Sequence, residues 1–271
     1  MAERYAVVGN PIAHSRSPRI HAEFARATGQ DLVYDAILAP LDGFAEMVRA
    51  FRRGGGRGLN VTVPFKREAF ALANELTVRA REAGAVNTLR FNGDVALGDN
   101  TDGAGLVTDL LLRLRVPLGG SRVLLMGAGG AARGVVGPLL RERPAALAIA
   151  NRTVAKAREL AQAFAAQGPV RGGGYEDVAG SAFDIVINAT SASLEGVVPP
   201  LPPGVFAPGA LAYDMVYGEH ATSFLERARA TGAATTMDGL GMLVAQAAES
   251  FLLWRGVRPE TAAVIDLLRA R

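Results

Sequence analysis

The chain of 271 residues contains no cysteine, one tryptophan and three histidines. Without cysteine there is no disulfide framework, no thiolate nucleophile and no Cys-ligated zinc. His14, His21 and His220 show no H-x-x-x-H spacing, so a histidine-built metal site is not expected either. The N-terminal segment Met1–Val8 has no apolar signal core, and no run of about 20 apolar residues is free of charge or glycine. A soluble, cytoplasmic protein with no membrane partner is the expectation. Lysine is the other scarcity: only Lys66 and Lys156 stand among 29 basic residues. Arginine carries positive charge almost everywhere. A lysine kept in such a background marks a position where a permanently charged, fork-shaped guanidinium does not serve. A compact ammonium can give up and regain a proton near neutral pH when burial lowers its pKa.

The length favours two domains over one. A hydrophobic content of 49% with 20% charged residues describes a globular protein with ample core. The net charge of +3 is mildly basic, and the arginines are scattered without interleaved aromatics. That pattern argues against nucleic acid and suits a small anionic ligand.

Two blocks are legible along the chain. The first reads as strand Tyr5–Val8, a helix from Pro18, strand Leu32–Leu38, helix Leu41–Arg52 and strand Gly58–Val63. Helical segments then run from Lys66 to Ala83. Strands Ala85–Phe91 and Asp94–Gly98 follow, with Asn92-Gly93 as the hairpin signal. Thr101–Leu114 reads as a helix bridging to the second block. There strands Arg122–Met126, Ala146–Ala150, Phe183–Asn188, Ala210–Met215 and Ala233–Met237 alternate with helices Ala131–Leu140 and Thr153–Ala165. Such alternation predicts an α/β fold with a doubly wound parallel sheet. Helices Gly239–Trp254 and Pro259–Arg269 close the chain and are expected to pack on the first block. The expected domains are residues 1–103 with 239–271, and residues 104–238.

The strand Arg122–Met126 runs into Gly127-Ala128-Gly129-Gly130-Ala131-Ala132 and then a helical pattern. This is the context that the dinucleotide fingerprint requires. Gly127 permits the tight turn, Gly129 admits a pyrophosphate to backbone amides, and Ala132 keeps helix close to strand. At the end of the next strand, dinucleotide folds for NAD place an acid on the ribose 2′-OH. Here the residues are Asn151-Arg152-Thr153, with Lys156 one turn on. Two cations and no acid select NADP.

The first block carries isolated polar groups at element ends. Ser15 and Ser17 precede Pro18 at a helix start, where hydroxyls and backbone N–H groups could hold a carboxylate; Ser17-Pro18 also reads as an ordinary cap and first-turn proline. Asn60 and Thr62 alternate with Val61 and Val63 and share a face. Asn87, Asp102 and Lys66 complete a set of one tunable amine, one carboxylate and several amide or hydroxyl groups. That set suits a ligand rich in hydroxyls with one carboxylate.

Nine motifs in order make the chain resemble the shikimate 5-dehydrogenase family over nearly its whole length. They are His14-Ser15-Arg16-Ser17-Pro18, Asn60 to Lys66, Gly84 to Thr88, Asp99 to Gly103, Gly127 to Ala131, Asn151-Arg152-Thr153, Asn188-Ala189-Thr190-Ser191, Tyr213 to Tyr217 and Asp238 to Gln246. The resemblance implies an N-terminal α/β substrate domain completed by the C-terminal helices, and a central Rossmann-type domain. It implies NADPH-dependent reduction of 3-dehydroshikimate to shikimate in aromatic amino-acid biosynthesis, by a monomer or homodimer. Ser15 and Ser17 would hold the substrate carboxylate, with Asn60, Thr62, Asn87, Asp102, Tyr217 and Gln246 also around the substrate. Lys66 and Asp102 would do the acid–base work, and which of them donates the proton stays open. Gly127, Ala128, Gly129, Gly130, Ala131, Asn151, Arg152, Thr153, Lys156, Thr190, Met215 and Gly239 would bind NADP. Ser193, where the family often has Gly, and Gly218-Glu219-His220, in place of a Pro-containing turn, depart from its pattern. A quinate/shikimate dehydrogenase using NAD is the nearest alternative, and a metabolite sensor of the same fold is another. The Arg152 site argues against the first, and the presence of both Lys66 and Asp102 against the second.

Overall fold

A computed structural model of the chain describes residues 2–190, 192 and 197–270. The chain divides into two compact units, residues 1–105 with 243–271 and residues 106–242. The boundaries fall inside helices α5 (Asp102–Thr108) and α9 (Leu240–Arg255).

The first unit holds a mixed sheet of β1 (Glu3–Gly9), β2 (Leu32–Leu38), β3 (Gly56–Val61), β4 (Glu75–Leu76), β5 (Thr88–Asn92) and β6 (Val95–Asp99), in the order β2-β1-β3-β5-β6-β4. The first three strands run parallel, which places the loops after β1 and β3 on one edge. Hairpin β5–β6 turns through Gly93-Asp94, one residue beyond the expected pair, because Asn92 is already registered against Val95. Helices α1 (Ser17–Thr28), α2 (Phe44–Arg53), α3 (Lys66–Leu72), α4 (Val78–Ala83) and α10 (Ala262–Arg269) belong to this unit. The expected helical stretch from Lys66 to Ala83 is interrupted by β4. Asn74 exchanges two hydrogen bonds with Ala96, its N–H donating to the Ala96 carbonyl and its Oδ1 accepting from the Ala96 N–H. That draws the chain onto β6 before Thr77, whose hydroxyl caps α4, restarts the helix.

The second unit is an all-parallel sheet of β7 (Arg122–Met126), β8 (Ala146–Ala150), β9 (Val170–Gly173), β10 (Phe183–Asn188), β11 (Phe206–Asp214) and β12 (Thr235–Met237). Its order, β12-β11-β10-β7-β8-β9, is that of a doubly wound dinucleotide fold. Helices α6 (Gly130–Arg141), α7 (Val154–Phe164) and α8 (Ser223–Ala230) flank it. Both faces of the central strands are buried. Val123, Leu125, Ile149 and Ile187 pack into one core, while Leu124, Ala148 and Val186 pack into the other. This is why the strands read as continuous apolar runs. The helix expected over Thr101–Leu114 is α5 followed by a π-helical turn at Asp109–Arg113. There Asp109 pairs with Arg113 and accepts the Tyr213 hydroxyl at 2.7 Å.

Candidate active site

In the first unit the loop after β3 delivers Lys66. Phe65 is fully buried and stacks on Phe44 at 4.8 Å between centroids. Its N–H closes the turn onto the Thr62 carbonyl. Lys66 opens α3 from this anchored turn, and its ammonium donates to Asp102 Oδ2 at 2.6 Å. The two side chains are 12% and 8% exposed, so the pair is largely withdrawn from water.

Asp102 opens α5 and is fixed by the loop before it. Asp99, at the end of β6, takes a two-bond Arg79 guanidinium and the Thr77 hydroxyl. Burial raises the Asp99 pKa, but the Arg79 hydrogen bonds and charge outweigh burial, and the net shift is downward. Asn100 donates to the Ala85 carbonyl and accepts the Asp102 N–H. Asp102 Oδ1 then faces the Asn87 amide, which donates to it at 2.8 Å. The same amide group reaches the Thr101 hydroxyl and Gln246 Oε1, and Gln246 in turn donates to the Leu243 carbonyl. Lys66, Asn87, Asp102 and Gln246, from four separate segments of the sequence, are thereby brought into one hydrogen-bonded cluster.

Asn60 stands in β3, one residue before its end. It is 5% exposed, and its side chain is spent inside the unit. Its Oδ1 accepts the Tyr34 hydroxyl at 2.7 Å, and its Nδ2 donates to Ser250 and Thr88. These bonds fix its side chain, and the amide oxygen has a second lone pair beside the one that Tyr34 takes. Thr62 lies one residue past the end of β3 and is half-buried. Ser17 is the first residue of α1, with Arg16 at the capping position, so its hydroxyl is not used as a cap. Its N–H donates to Ser15 Oγ at 3.3 Å, which sets the two serines side by side. The Tyr34 phenol, whose pKa burial drives up, is opposed in this by the Ser17 hydroxyl beside it. Tyr34, Thr88, Thr101 and Ser250 were not singled out as site residues from the sequence. Thr88 and Thr101 stood inside quoted motifs, but Tyr34 and Ser250 carry no motif at all.

His21 is fully buried and stacks on Tyr34, 4.1 Å between centroids and 5° between planes. Neither ring nitrogen has a hydrogen-bond partner among the described residues. Burial pushes its pKa down to about 3, and the nearby Asn60 amide opposes this only weakly.

The second unit gathers the other expected residues at the carboxyl ends of its strands. The order of strands reverses between β7 and β10, the switch point where such sheets bind ligands. Gly127 follows β7 with φ +110°. A side chain there would be strained and would sit 3.1 Å from the Ala189 carbonyl oxygen after β10. Gly129 caps α6 with no side-chain oxygen, and a Cβ on it would meet nothing within 4 Å. The first turn of α6 thus presents backbone N–H groups to open space, a cradle that fits a pyrophosphate. Thr190 donates through N–H and hydroxyl to Asn188 Oδ1, and Asn188 donates to the buried Asp214 at 3.0 Å. Met215 and Gly239 meet beside it, since the Gly239 N–H bonds the Val216 carbonyl and a Cβ on Gly239 would collide with the Met215 backbone. Tyr217 also lies in this unit, in the loop after β11.

After β8, Asn151 donates to the Thr153 carbonyl at 2.9 Å and shapes the turn into α7. Arg152 and Lys156 are exposed there, and neither is paired with a carboxylate among the described residues. Two unneutralised cations beside the cradle fit a 2′-phosphate. Among the described residues no three His, Asp or Glu side chains group as metal ligands, and no helix is long and apolar enough to cross a membrane. Ser191 and Ser193 lie outside the described residues.

Three family models match the chain. The shikimate dehydrogenase substrate binding domain covers residues 7–89, shikimate / quinate 5-dehydrogenase covers 111–197, and the shikimate 5'-dehydrogenase C-terminal domain covers 239–269. A shikimate dehydrogenase (NADP(+)) from Nitrosospira multiformis is 63% identical over 270 residues, spanning 100% of this chain and 98% of the relative. A crystal structure of an enzyme from Pseudomonas putida superposes with a TM-score of 0.90 at 49% identity, covering 98% of each chain. The shikimate 5-dehydrogenase of Thermus thermophilus, solved with NADP(H) and shikimate, gives a TM-score of 0.85 at 33% identity over 99% of both chains. With matching models along both units and a relative of this identity across its full length, the chain belongs to the shikimate dehydrogenase family.

Proposed function

We propose that this protein catalyses the reversible NADPH-dependent reduction of 3-dehydroshikimate to shikimate, in the pathway to the aromatic amino acids. The observation that carries the reading is the buried Lys66–Asp102 pair at 2.6 Å, held from behind by Asn87, in a chain with a full-length NADP-dependent shikimate dehydrogenase relative. NADPH, held by Gly127–Ala131, Asn151–Lys156, Thr190, Met215 and Gly239, supplies the hydride. Lys66 donates the proton to the oxygen of the carbonyl as it becomes an alkoxide, and Asp102 orients the ammonium and accepts from the neighbouring hydroxyl. Ser15 and Ser17 hold the carboxylate through their hydroxyls. Thr62, Asn87, Gln246 and Tyr217 are assigned to the ring hydroxyls, and Asn60 is assigned to the substrate with them. Arg152 and Lys156 take the 2′-phosphate and so favour NADP over NAD. The cytoplasm is the proposed location, and a monomer or homodimer the proposed assembly.

The test is loss of NADPH absorbance on addition of 3-dehydroshikimate, with the reverse reaction run on shikimate and on quinate with each cofactor. Turnover of shikimate with NADP is the expected result. Quinate oxidation with NAD, without shikimate activity, would replace this reading by the alternative one.

A further inference from the structure

The Lys66–Asp102 pair stands at the end of a run of buried hydrogen bonds, of which Tyr34 and Thr88 take no part in the chemistry proposed above. Tyr34 donates its hydroxyl to Asn60 Oδ1 at 2.7 Å. Asn60 Nδ2 donates to Thr88 Oγ1 at 3.1 Å and to Ser250 Oγ at 2.8 Å. Thr88 donates to Asn87 Oδ1 at 2.9 Å. Asn87 Nδ2 donates to Asp102 Oδ1 at 2.8 Å, and Lys66 meets the other oxygen.

Every donor in this run points the same way, and the direction is set by chemistry. A primary amide has one accepting end and one donating end. Tyr34 occupies the accepting end of Asn60, so its NH₂ must turn to Thr88. The Thr101 N–H also donates to Asn87 Oδ1, which makes that oxygen an acceptor. The Thr88 hydroxyl accepts from Asn60 and donates to Asn87, with Ser250 Oγ at 2.9 Å as a further partner. Thr88 and Ser250 are fully buried and Asn87 is 3% exposed, so water does not compete with these partners. Aligned bonds in a low-dielectric interior polarise one another.

We propose that Thr88 is a positioning residue for the acid–base pair, the relay through which Tyr34 and Asn60 fix the Asn87 amide against Asp102. It touches no reacting group and acts through Asn87. The proposal rests on the reading of Lys66 and Asp102 as the acid–base pair.

The test compares Thr88→Val, Thr88→Ser and Tyr34→Phe. Valine matches threonine in shape and removes the hydroxyl's bonds to Asn60, Asn87 and Ser250, while Asn60 keeps Ser250 and Asn87 keeps Thr101. For Thr88→Val, kcat on 3-dehydroshikimate is expected to fall about tenfold with KM for NADPH unchanged and the pH profile of kcat displaced. Thr88→Ser should return kcat to within about twofold of the unmodified enzyme. Tyr34→Phe should lower kcat by several-fold alone and by nothing further in Thr88→Val, because one broken link already interrupts the chain. Thr88→Val with kcat within about twofold of normal, or losses that multiply in the double variant, would overturn the proposal. Thermal unfolding of each variant separates a folding defect from these effects, and serine failing to rescue would also count against the relay. Side-chain amide NMR of Asn87 in the ligand-free protein needs no turnover. Its resonances should move in Thr88→Val and in Tyr34→Phe, and unchanged resonances would overturn the relay. If the unmodified enzyme does not reduce 3-dehydroshikimate, the functional reading falls and this spectrum still decides the relay.

Discussion

Removing one charge of the Lys66–Asp102 pair should destabilise the protein far more than removing both, while either change should stop catalysis. At 2.6 Å the two charges attract by about 6 kcal/mol at an effective dielectric near 20. Taking both groups out of water costs a comparable amount, so the pair as a whole contributes little net. Lys66→Met leaves the Asp102 carboxylate buried with the Asn87 amide as its one side-chain donor among the described residues. Breaking a buried pair in this way costs roughly 3–5 kcal/mol. Asp102→Asn leaves the ammonium uncompensated and should cost a similar amount. Lys66→Met combined with Asp102→Asn removes both charges and should be more stable than either single variant, by at least about 2 kcal/mol. Trp254 is the sole tryptophan and lies in the first unit, so its fluorescence in urea reports on the unit that holds the pair. In all three variants kcat should fall by roughly 10²–10⁴. Stability recovered without activity separates the pair's chemistry from its packing. A double variant as unstable as the two singles added together would refute the coupling. Lys66→Arg, which keeps the charge but cannot give up a proton, should lose turnover to a similar degree; near-normal kcat there would move the proton-donor role to Asp102.

Three further outcomes are expected. Arg152 and Lys156, each contributing on the order of 1.5 kcal/mol, should together favour NADPH over NADH by about two decades in kcat/KM, and Arg152→Asp should erode or reverse that preference; equal efficiency with both cofactors in the unmodified enzyme would contradict the 2′-phosphate assignment. Ser17→Ala should raise KM for 3-dehydroshikimate roughly tenfold with a smaller effect on kcat, and an unchanged KM would place the carboxylate elsewhere. His21 is held neutral with its pKa near 3, below the ordinary 6.5, so the unfolded chain takes up a proton first as pH falls. Stability should therefore drop between pH 6.5 and 3, by about 2 kcal/mol from pH 7 to pH 5, and His21→Phe should flatten that slope in urea titrations at the two pH values.

The second unit was legible because its signals are local. Leu124, Leu125 and their neighbours read as fully apolar strands, and the glycine loop sits between strand and helix within ten residues. Strand β9 was not legible, since Val170-Arg171-Gly172-Gly173 has little strand propensity and is held as an edge by pairing with β8. Strand β4 was missed for a related reason, being two residues long and fixed by Asn74 onto Ala96.

The candidate site divides in the same way. Sequence alone determined the residue types that carry the chemistry: a lysine kept among arginines, a carboxylate at an element end, paired serines before a helix, and cations without an acid after β8. Those are choices of functional group, and they are written in the chain. Only the tertiary structure decided which groups face each other. Lys66 and Asp102 are 36 positions apart, and Asn60 and Ser250 are 190 apart. It turned the Asn87 amide to Asp102, bonded Asn60 to Thr88, and brought in Tyr34 and Ser250, which no motif announces. The physical reason is that a hydroxyl or an amide has no fixed role by itself. What it donates to or accepts from depends on the partners that packing brings within about 3 Å, and on the exclusion of water that would otherwise satisfy it.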